Sequence, residues 1–315
     1  MAPDTTKAGE FGLTQHHPAV SVVVPCFNGG RFLDALMASL ARQTFRDFEI
    51  VIVDDGSTDL GTLRKLSELK SRARVIHQKN GGLSAARNSG FRFAHADLVL
   101  PLDCDDMIEP PFLAEAVELM RNAPADVAAV FCHMRLAGAA RGLLERHFNR
   151  FDLLFTNTLP SGLLLSKASW AAVGGYDESM RDGYEDWEFH LRLMCAGYRA
   201  IELPKPYYVY SMADEGMLLG RASRLHGRLW RAIRSKHADL YRPLSLLRLW
   251  QATRDGKGCV SLRKGAAALL LATLLPDALF SRLVAGMRRR SLLEGRRPAY
   301  VTEPEKARQK TRLAA

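Results

Sequence analysis

Three carboxylates lie within four consecutive positions, at Asp103, Asp105 and Asp106, directly after the apolar run 98–102. We interpret that run as a short buried strand. Carboxylates crowded at a buried strand end repel one another and lose hydration, and a hard divalent ion such as Mg²⁺ or Mn²⁺ relieves both effects. Since ligands of open α/β sheets collect at the carboxyl ends of strands, the cluster predicts a metal site for a phosphate-bearing ligand. The alternative is an acidic loop in which Asp106 caps the next helix.

A second acidic strand end occupies residues 53–59, with the sequence Val-Asp-Asp-Gly-Ser-Thr-Asp. Two acids followed by Gly-Ser predict a tight turn that can present a carboxylate to the N–H or hydroxyl groups of a ligand. The competing interpretation is a helix N-cap formed by Ser57 or Thr58.

A glycine-rich segment spans residues 80–90 and contains Gly81, Gly82 and Arg87. The paired glycines let the backbone approach a phosphate, and an arginine supplies a fixed positive charge with forked donors. The segment is equally compatible with a simple turn before a helix, in which case Arg87 is solvated.

The fourth group of residues that could do chemistry is Tyr184-Glu185-Asp186-Trp187. An aspartate at the start of a helix, beside a tryptophan that can line a sugar site, suits a general base. The alternative is ordinary capping, because acidic residues stabilise a helix N-terminus.

Strand-like and helix-like apolar patterns alternate between residues 20 and 133 and must position these groups. Beyond residue 138 the pattern is less regular, although it predicts a helix over 186–197 and a strand over 207–210. The strands predicted in the first part are 21–24, 48–53, 74–77, 98–102 and 127–133, and the helices are 31–43, 60–70, 84–95 and 111–121. This alternation is typical of an α/β fold with a doubly wound, mostly parallel sheet formed by the first ~135 residues.

Charge divides the chain into two parts near residue 220. Residues 1–220 carry a net charge of −6, whereas residues 221–315 hold 22 basic and 6 acidic residues, a net charge of +16. We therefore expect a globular domain over 18–220 and a basic helical region over 221–315. Residues 1–17 are polar, lack the apolar core of a signal peptide and are interpreted as a disordered tail. Five scattered cysteines without a CxxC pair fit a reducing cytoplasm rather than a disulfide framework or a zinc site.

The basic region contains the most apolar stretch of the chain, residues 265–286. Pro276, Asp277 and Arg282 interrupt it, so it is a poor transmembrane span. Clusters of basic residues on both sides leave two alternatives: an interfacial anchor on an anionic membrane surface, or a helical cap packed on the globular domain. Nucleic-acid binding is not favoured, since the region lacks interleaved aromatic residues and any recognised motif.

Taken in order along the chain, the motifs resemble those of the family 2 glycosyltransferases, which have the GT-A fold. The resemblance covers about residues 18–212. It is carried by the following segments: Val22-Val23-Val24-Pro25-Cys26-Phe27-Asn28, 53–59, Arg87-Asn88, 102–106, Gly174-Gly175-Tyr176-Asp177-Glu178 and 185–187. It implies an inverting, metal-dependent transfer from a nucleotide-sugar, with UDP as the expected nucleotide and Mn²⁺ or Mg²⁺ as cofactor. The acceptor implied is a hydroxyl of a glycan or lipid-linked molecule in cell-surface polysaccharide synthesis. We expect the protein itself to be cytoplasmic, and to contact the inner membrane face if the basic region is an anchor.

The resemblance also implies residue roles on the donor side. Pro25, Phe27 and Asp55 would hold the nucleotide base, with Asp55 accepting a hydrogen bond from an N–H of uracil. Arg87 would lie beside the base or its phosphates, and Asp103 would contact the ribose and the metal.

On the metal and acceptor sides, Asp105 is the favoured direct ligand, Asp103 its partner and Asp106 the reserve candidate. Asp186 would be the catalytic base. The remaining residues assigned to the acceptor side are Gly175, Glu185 and Trp187.

One departure from the family pattern lies in residues 209–217. Many relatives carry an arginine and then a histidine in this stretch, which closes over the diphosphate, whereas here basic residues are missing and two acids follow. Either phosphate contacts come from Arg181, Arg221 or Arg224, or the protein is a weakened transferase that serves as a sugar-nucleotide sensor or scaffold.

Overall fold

The computed structural model describes residues 17–138, 141–212, 221–254 and 260–293, with the side chains of residue 221 and of residues 288–293 left undescribed. The predicted N-terminal tail, except for His17, lies outside the described residues, as does the part of the 209–217 stretch after Met212.

In the part of the chain that the structure describes, nine strands form one mixed sheet. Their bounds are β1 Val20–Cys26, β2 Phe48–Asp54, β3 Arg74–His77, β4 Leu98–Pro101, β5 Met107–Ile108, β6 Val127–Gly138, β7 Gly142–Leu144, β8 Leu164–Ser166 and β9 Arg199–Met212. The spatial order is β3-β2-β1-β4-β8-β6-β9-β5, with β7 paired to β6. Strands β1 to β4, β6 and β9 run in one direction because β8 is antiparallel to both β4 and β6. The predicted α/β fold with a mostly parallel sheet is confirmed.

The helices cover both faces of the sheet and continue into the C-terminal part. Their bounds are α1 Gly30–Ala41, α2 Leu60–Leu69, α3 Leu83–Phe93, α4 Phe112–Arg121, α5 Lys167–Ala172, α6 Glu185–Cys195, α7 Arg221–Arg224, α8 His226–Lys236, α9 Pro243–Thr253, α10 Leu262–Leu274 and α11 Asp277–Leu293. Alternate side chains of β1 enter different cores, since Val22 and Val24 pack with α1 and α4 whereas Val23 packs with α3.

The sheet is not completed by the first 135 residues, in contrast to the prediction. Strand β8 inserts between β4 and β6, and β9 adds a long neighbour to β6. The predicted strand 207–210 is only the end of β9, which also includes Pro204 and Pro206. A register irregularity between Cys132 and Met134 accommodates both prolines, because a bulge needs no ladder N–H from them.

The C-terminal helices pack on α6 through a third hydrophobic cluster that contains Trp187, Trp230, Ala272 and Phe280. The indole N–H of Trp230 also donates to the Leu154 carbonyl at 2.9 Å. In its described residues, 221–254 and 260–293, the basic region is therefore mainly helical, and its inner face caps the globular domain. Within the described part of the chain, the helices are too short or too polar to cross a membrane.

Candidate active site

The carboxyl ends of three neighbouring strands bring the acidic motifs together. β1 lies between β2 and β4 in the parallel part of the sheet, and the chain leaves these strands at Phe27, Asp55 and Leu102. Because parallel strands end at the same edge, the residues that follow them share one cleft-forming edge, as the sequence predicted.

Asp55 is almost fully buried and holds the glycine-rich loop. Its Oδ1 accepts hydrogen bonds from Gln78 Nε2 at 2.7 Å and the Gly81 N–H at 2.8 Å, while Oδ2 accepts from the Gly82 N–H at 2.8 Å. A carboxylate can accept about four hydrogen bonds, so Oδ2 retains capacity for one further donor. The strand-end motif 53–59 and the glycine-rich segment are therefore one unit, in which Asp55 fixes the loop.

The other two residues expected at the base differ in accessibility. Phe27 is 53% exposed just beyond β1, where its ring is available to a planar ligand. Pro25 is buried within β1, in register with Val53, and contributes backbone rather than exposed surface. The helix after Asp55 is capped by neither Ser57 nor Thr58: Asp59 is the N-cap and accepts from the Thr62 N–H.

Arg87 is buried between two carboxylates and is not solvated. Its side chain is 1% exposed, with Nη1 donating to Glu185 Oε1 and Nη2 to Asp103 Oδ1, each at 2.7 Å. Burial lowers the pKa of Arg87, but the charges of Asp103 and Glu185 outweigh this and hold it well above its usual value. Arg87 thus joins the acid cluster to the first residue of α6.

Asp103 and Asp105 are the more accessible members of the acid cluster. Asp103 Oδ2 also accepts from Ser161 Oγ at 3.4 Å, so both oxygens of Asp103 have protein partners. Burial, followed by the charge of Asp103, raises the pKa of Asp105, and Arg31 opposes that rise. Raised affinity for a proton marks a site where positive charge is under-supplied.

Asp106 does not cap the next helix, which begins after Pro111 without a side-chain cap. Its Oδ2 accepts from the Tyr208 hydroxyl at 2.5 Å and its Oδ1 from the Ser211 N–H at 2.8 Å. Burial, then Asp103 and Asp105, raises the pKa of Asp106 well above its usual value. The residue connects the acid cluster to the end of β9.

The carboxylates fit a magnesium or manganese ion that a donor helps to hold, rather than a site built by protein alone. Among the described residues, no group of three or more His, Cys, Asp or Glu side chains is arranged as a metal site. Mg²⁺ is commonly bound by one or two carboxylates together with substrate phosphates. Asp105, with Asp103 beside it, matches that donor set better than Asp106, because Asp103 and Asp105 are partly exposed whereas Asp106 is buried.

Asp186 lies in the first turn of α6 and is half-buried. It directly follows Glu185, the residue that pairs with Arg87. Its Oδ1 accepts from the Trp187 N–H at 2.7 Å, and its Oδ2 accepts from Asn157 Nδ2 at 2.9 Å. Burial, followed by the charge of Glu185, raises the pKa of Asp186 to about 7, against the opposing effect of Arg87. A carboxylate with this pKa can both accept and release a proton near neutrality.

The residues assigned to the acceptor side are all buried. Glu185 is the buried partner of Arg87. Trp187 is 0% exposed and donates to the Leu153 carbonyl at 2.6 Å, so its ring supports α6 from within and does not line a sugar site in this structure. Gly175 has φ +71° and lies against Asn88 and Trp170, where a Cβ would come within 2.7 Å of Asn88 Oδ1.

Of the arginines expected to replace the missing basic loop residues, Arg181 lies beside the glycine-rich loop. It is exposed, and its Cγ is 3.7 Å from the ideal Cβ position of Gly82. Arg224 is exposed on α7, and the side chain of Arg221 is not described. The described residues 209–212 contain no basic side chain.

Sequence reasoning missed Asn88, Asn157, Ser161 and Tyr208. Asn88 accepts from the Tyr176 N–H at 2.8 Å and donates to the Tyr176 carbonyl at 2.8 Å, which fixes the turn that precedes α6. Asn88 stands directly after Arg87 in a quoted motif, which was a usable signal. No local pattern marked the other three.

An acid cluster at the carboxyl ends of parallel strands, joined through Arg87 to the helix that carries Asp186, is typical of the GT-A fold. The sequence profile of glycosyl transferase family 2 matches residues 21–164. Over those residues the chain is similar to glycosyl transferase family 2.

Among curated proteins, the chondroitin synthase of Pasteurella multocida is 36% identical over 190 residues, which is 57% of this chain and 19% of that protein. The chain spans about a third or less of the length of the first curated relatives it matches.

Two solved structures share the fold. The S. aureus TarS 1–349 structure in complex with UDP-GlcNAc has a TM-score of 0.59 at 20% identity, covering 87% of this chain and 92% of that one. The mannosyltransferase PcManGT from Pyrobaculum calidifontis, in complex with GDP-Man and Mn²⁺, has a TM-score of 0.52 at 19% identity, covering 88% of each chain. The expected GT-A fold is confirmed by these likenesses.

Proposed function

We propose that this protein is an inverting, metal-dependent glycosyltransferase that moves a sugar from a nucleotide-sugar, with UDP as the expected nucleotide, to a hydroxyl of a glycan or lipid-linked acceptor. The observation that carries the proposal is Asp186, a carboxylate whose pKa is raised to about 7 and which follows the Glu185 that Arg87 joins to Asp103. These hydrogen bonds connect the acid cluster to the helix that carries the proposed proton acceptor.

In the proposed reaction Asp186 takes the proton of the acceptor hydroxyl as that oxygen bonds to the anomeric carbon. The bond from that carbon to the diphosphate oxygen breaks on the opposite face, and the nucleoside diphosphate leaves with the electron pair. Such a positioned base contributes roughly 10²–10⁴-fold to the rate. Asp105, with Asp103, would hold Mn²⁺ or Mg²⁺, which when bound neutralises charge on the leaving diphosphate.

The donor class is supported by what the structural neighbours bind, namely UDP-GlcNAc for TarS and GDP-Man with Mn²⁺ for PcManGT. In the proposed donor complex Phe27 packs on the base, Asp55 Oδ2 accepts from a base N–H, and Arg181 meets the phosphates. Polysaccharide synthesis is supported by the similarity to chondroitin synthases. The alternative is a weakened transferase that only senses or scaffolds a sugar nucleotide. A single observation favours it, namely the absence of basic residues at 209–212.

Release of UDP decides between these functions. The protein is incubated with UDP-glucose, UDP-galactose, UDP-GlcNAc, UDP-glucuronic acid and GDP-mannose, each with Mn²⁺, Mg²⁺ or chelator, and nucleotide release and binding are measured. A transferase gives metal-dependent release that Asp186→Asn abolishes without weakening donor binding, whereas Asp105→Asn loses the metal-dependent part of binding. Asp177→Asn, a partly exposed carboxylate on the preceding turn, is the matched control. Donor binding with no release from the wild-type protein supports the sensor, and equal turnover by Asp186→Asn rejects this base.

We further propose that the transferase domain spans residues 18–220, and that residues 221–315 rest on the inner face of the cytoplasmic membrane. The inner side of α10 and α11 caps the domain, whereas their outer side is apolar and exposed. Basic residues Arg263, Lys264 and Arg282 flank or interrupt that side. The outer face, called the leucine face below, consists of Leu270, Leu271, Leu274, Leu279, Leu283 and Met287. Such a face matches an interfacial site on anionic lipid.

A further inference from the structure

Asn157 connects two residues of α6 that lie one helical turn apart. Asp186 and His190 are at positions i and i+4, so their side chains share one face of the helix. Asn157 approaches that face from the loop before β8, with Nδ2 at 2.9 Å from Asp186 Oδ2 and Oδ1 at 3.1 Å from His190 Nδ1. One amide therefore contacts both side chains.

The hydrogen-bond directions follow from the chemistry of the three groups. An ionised carboxylate only accepts, so the Asn157 amide must present its N–H to Asp186 and its oxygen to His190. The imidazole must then carry a hydrogen on Nδ1. Arg146 Nη1 donates to the Asn157 carbonyl at 3.2 Å and holds the backbone of the loop in place.

His190 is suited to orient the amide rather than to exchange protons. It is 2% exposed, and among the described residues its Nε2 is buried without a hydrogen-bond partner. Burial, followed by the charges of Arg87 and Arg146, lowers the pKa of His190 to about 3, so the ring is neutral at physiological pH. A neutral ring locked in one tautomer leaves the amide one favourable orientation.

We infer that His190 and Asn157 are positioning residues that orient the Asp186 carboxylate and stabilise its ionised form. This inference rests on the proposed role of Asp186 as the base. A hydrogen bond donated to a carboxylate favours ionisation and so opposes the burial that raises its proton affinity. The charged and titratable groups that otherwise face Asp186 are Glu185, Arg87, Asp103, Tyr176 and Tyr210.

The test compares four variants by two readouts. Asn157→Ala removes the donor to Asp186. His190→Leu leaves the amide oxygen with only the longer hydrogen bond from the Leu159 N–H, at 3.4 Å. His190→Asn keeps an N–H where the imidazole Nδ1 stood. Leu193→Ala is the control, because it removes a buried side chain from the same helix, at a residue that makes no hydrogen bond to Asn157. The readouts are the pH titration of the Asp186 carboxyl ¹³C resonance, assigned by its absence in Asp186→Asn, and the acid limb of UDP release from UDP-GlcNAc with Mn²⁺.

Asn157→Ala and His190→Leu are expected to move the Asp186 titration and the acid limb upward by about one pH unit. His190→Asn should restore both to near the wild-type values, and Leu193→Ala should lower the melting temperature alone. Folded Asn157→Ala and His190→Leu proteins with an unmoved carboxyl titration would overturn the inference. If the wild-type protein releases no UDP, the proposed function fails, while the carboxyl titration still decides whether the amide controls Asp186.

Discussion

Arg87 and Glu185 are 98 residues apart in the chain, yet the guanidinium Nη1 donates to the carboxylate Oε1 at 2.7 Å. Both side chains are almost fully buried, and the second Nη of Arg87 is taken by Asp103. A buried charge of this kind is tolerated only while its partners remain, because an unpaired ion in the interior keeps its full desolvation cost. The pair therefore locks α3 to the start of α6.

Replacing Arg87 with methionine should destabilise the protein by about 3–5 kcal/mol, because Asp103 and Glu185 lose their common cation. Urea unfolding measures the loss. Arg92 lies on the same helix and is exposed, so Arg92→Met should change stability by no more than about 0.5 kcal/mol. Equal stabilities of the two variants would contradict the role of Arg87.

The rate of transfer should depend on the ionisation of Asp186. Since its pKa is raised to about 7 and the base must be ionised, kcat/KM should rise with pH and level off above neutrality. The profile is measured between about pH 5 and pH 8 with donor binding followed separately at each pH. A flat profile across this interval, with donor binding constant, would exclude Asp186 as the base that limits the rate.

Asp186 should also make stability depend on pH, with a defined sign. The pKa is about 7 in the folded protein and lies near 3.9 in the unfolded chain, so the native state binds the extra proton between these values. Stability contributed by Asp186 is therefore present below about pH 4 and is lost as pH rises through about 7.

Asp186→Asn removes this titration. Relative to the wild-type protein, its melting temperature should increase from pH 5 to pH 8, by about 1–2 °C for each kcal/mol regained. Asp239→Asn, at an exposed carboxylate, should show no comparable trend. A constant difference between Asp186→Asn and wild type at both pH values would show that Asp186 is ionised throughout.

Two adjacent glycines provide a matched test of the turn before α6. Gly174 has φ +79° and no atom within 4 Å of an added Cβ, whereas at Gly175, with φ +71°, the Cβ would meet Asn88 Oδ1 at 2.7 Å. Gly174→Ala should cost about 1–2 kcal/mol from backbone strain alone. Gly175→Ala should cost at least about 1–3 kcal/mol more, because it also disrupts the Asn88 hydrogen bonds. Chemical denaturation of both variants measures the difference, and equal losses would contradict it.

The leucine face should bind anionic vesicles. Sedimentation with phosphatidylcholine vesicles, with and without phosphatidylglycerol, is expected to show binding that needs the anionic lipid and weakens with salt. The double variant Leu270→Ser, Leu274→Ser should lower the partition coefficient at least about tenfold, since each buried leucine is worth roughly 1.5–3 kcal/mol.

Leu60→Ser is the matched control, because Leu60 is an exposed leucine on α2, away from the leucine face. It should leave vesicle binding unchanged. Binding that is insensitive to both the leucine variants and the lipid charge would reject the proposed contact with the membrane.

Much of the fold was predictable because its signals are local. The buried runs that became β1, β2 and β4 were located to within a few residues, and Asp186 was correctly expected at the start of a helix. What could not be read from local patterns depends on distant contacts. Strand β8 has three residues and no period of its own, and its place between β4 and β6 is set by pairing.

The same limit applies to the site. The local sequence does not show that Arg87 and Trp187 are buried. In the structure Arg87 lies between two acids, and the Trp187 ring packs in the third hydrophobic cluster. Asn157 escaped notice because an asparagine in a loop carries no periodic signal. Its importance follows only from the 2.9 Å contact with Asp186.

The shared packing of Trp187 with Ala272 and Phe280 has a geometric consequence for the membrane proposal. Helices whose outer side rests on lipid would transmit their orientation directly to the helix that carries Asp186. A lipid-linked acceptor would then diffuse in two dimensions toward a base held at a fixed height above the bilayer. Such confinement raises the effective concentration of the acceptor without any new contact to it.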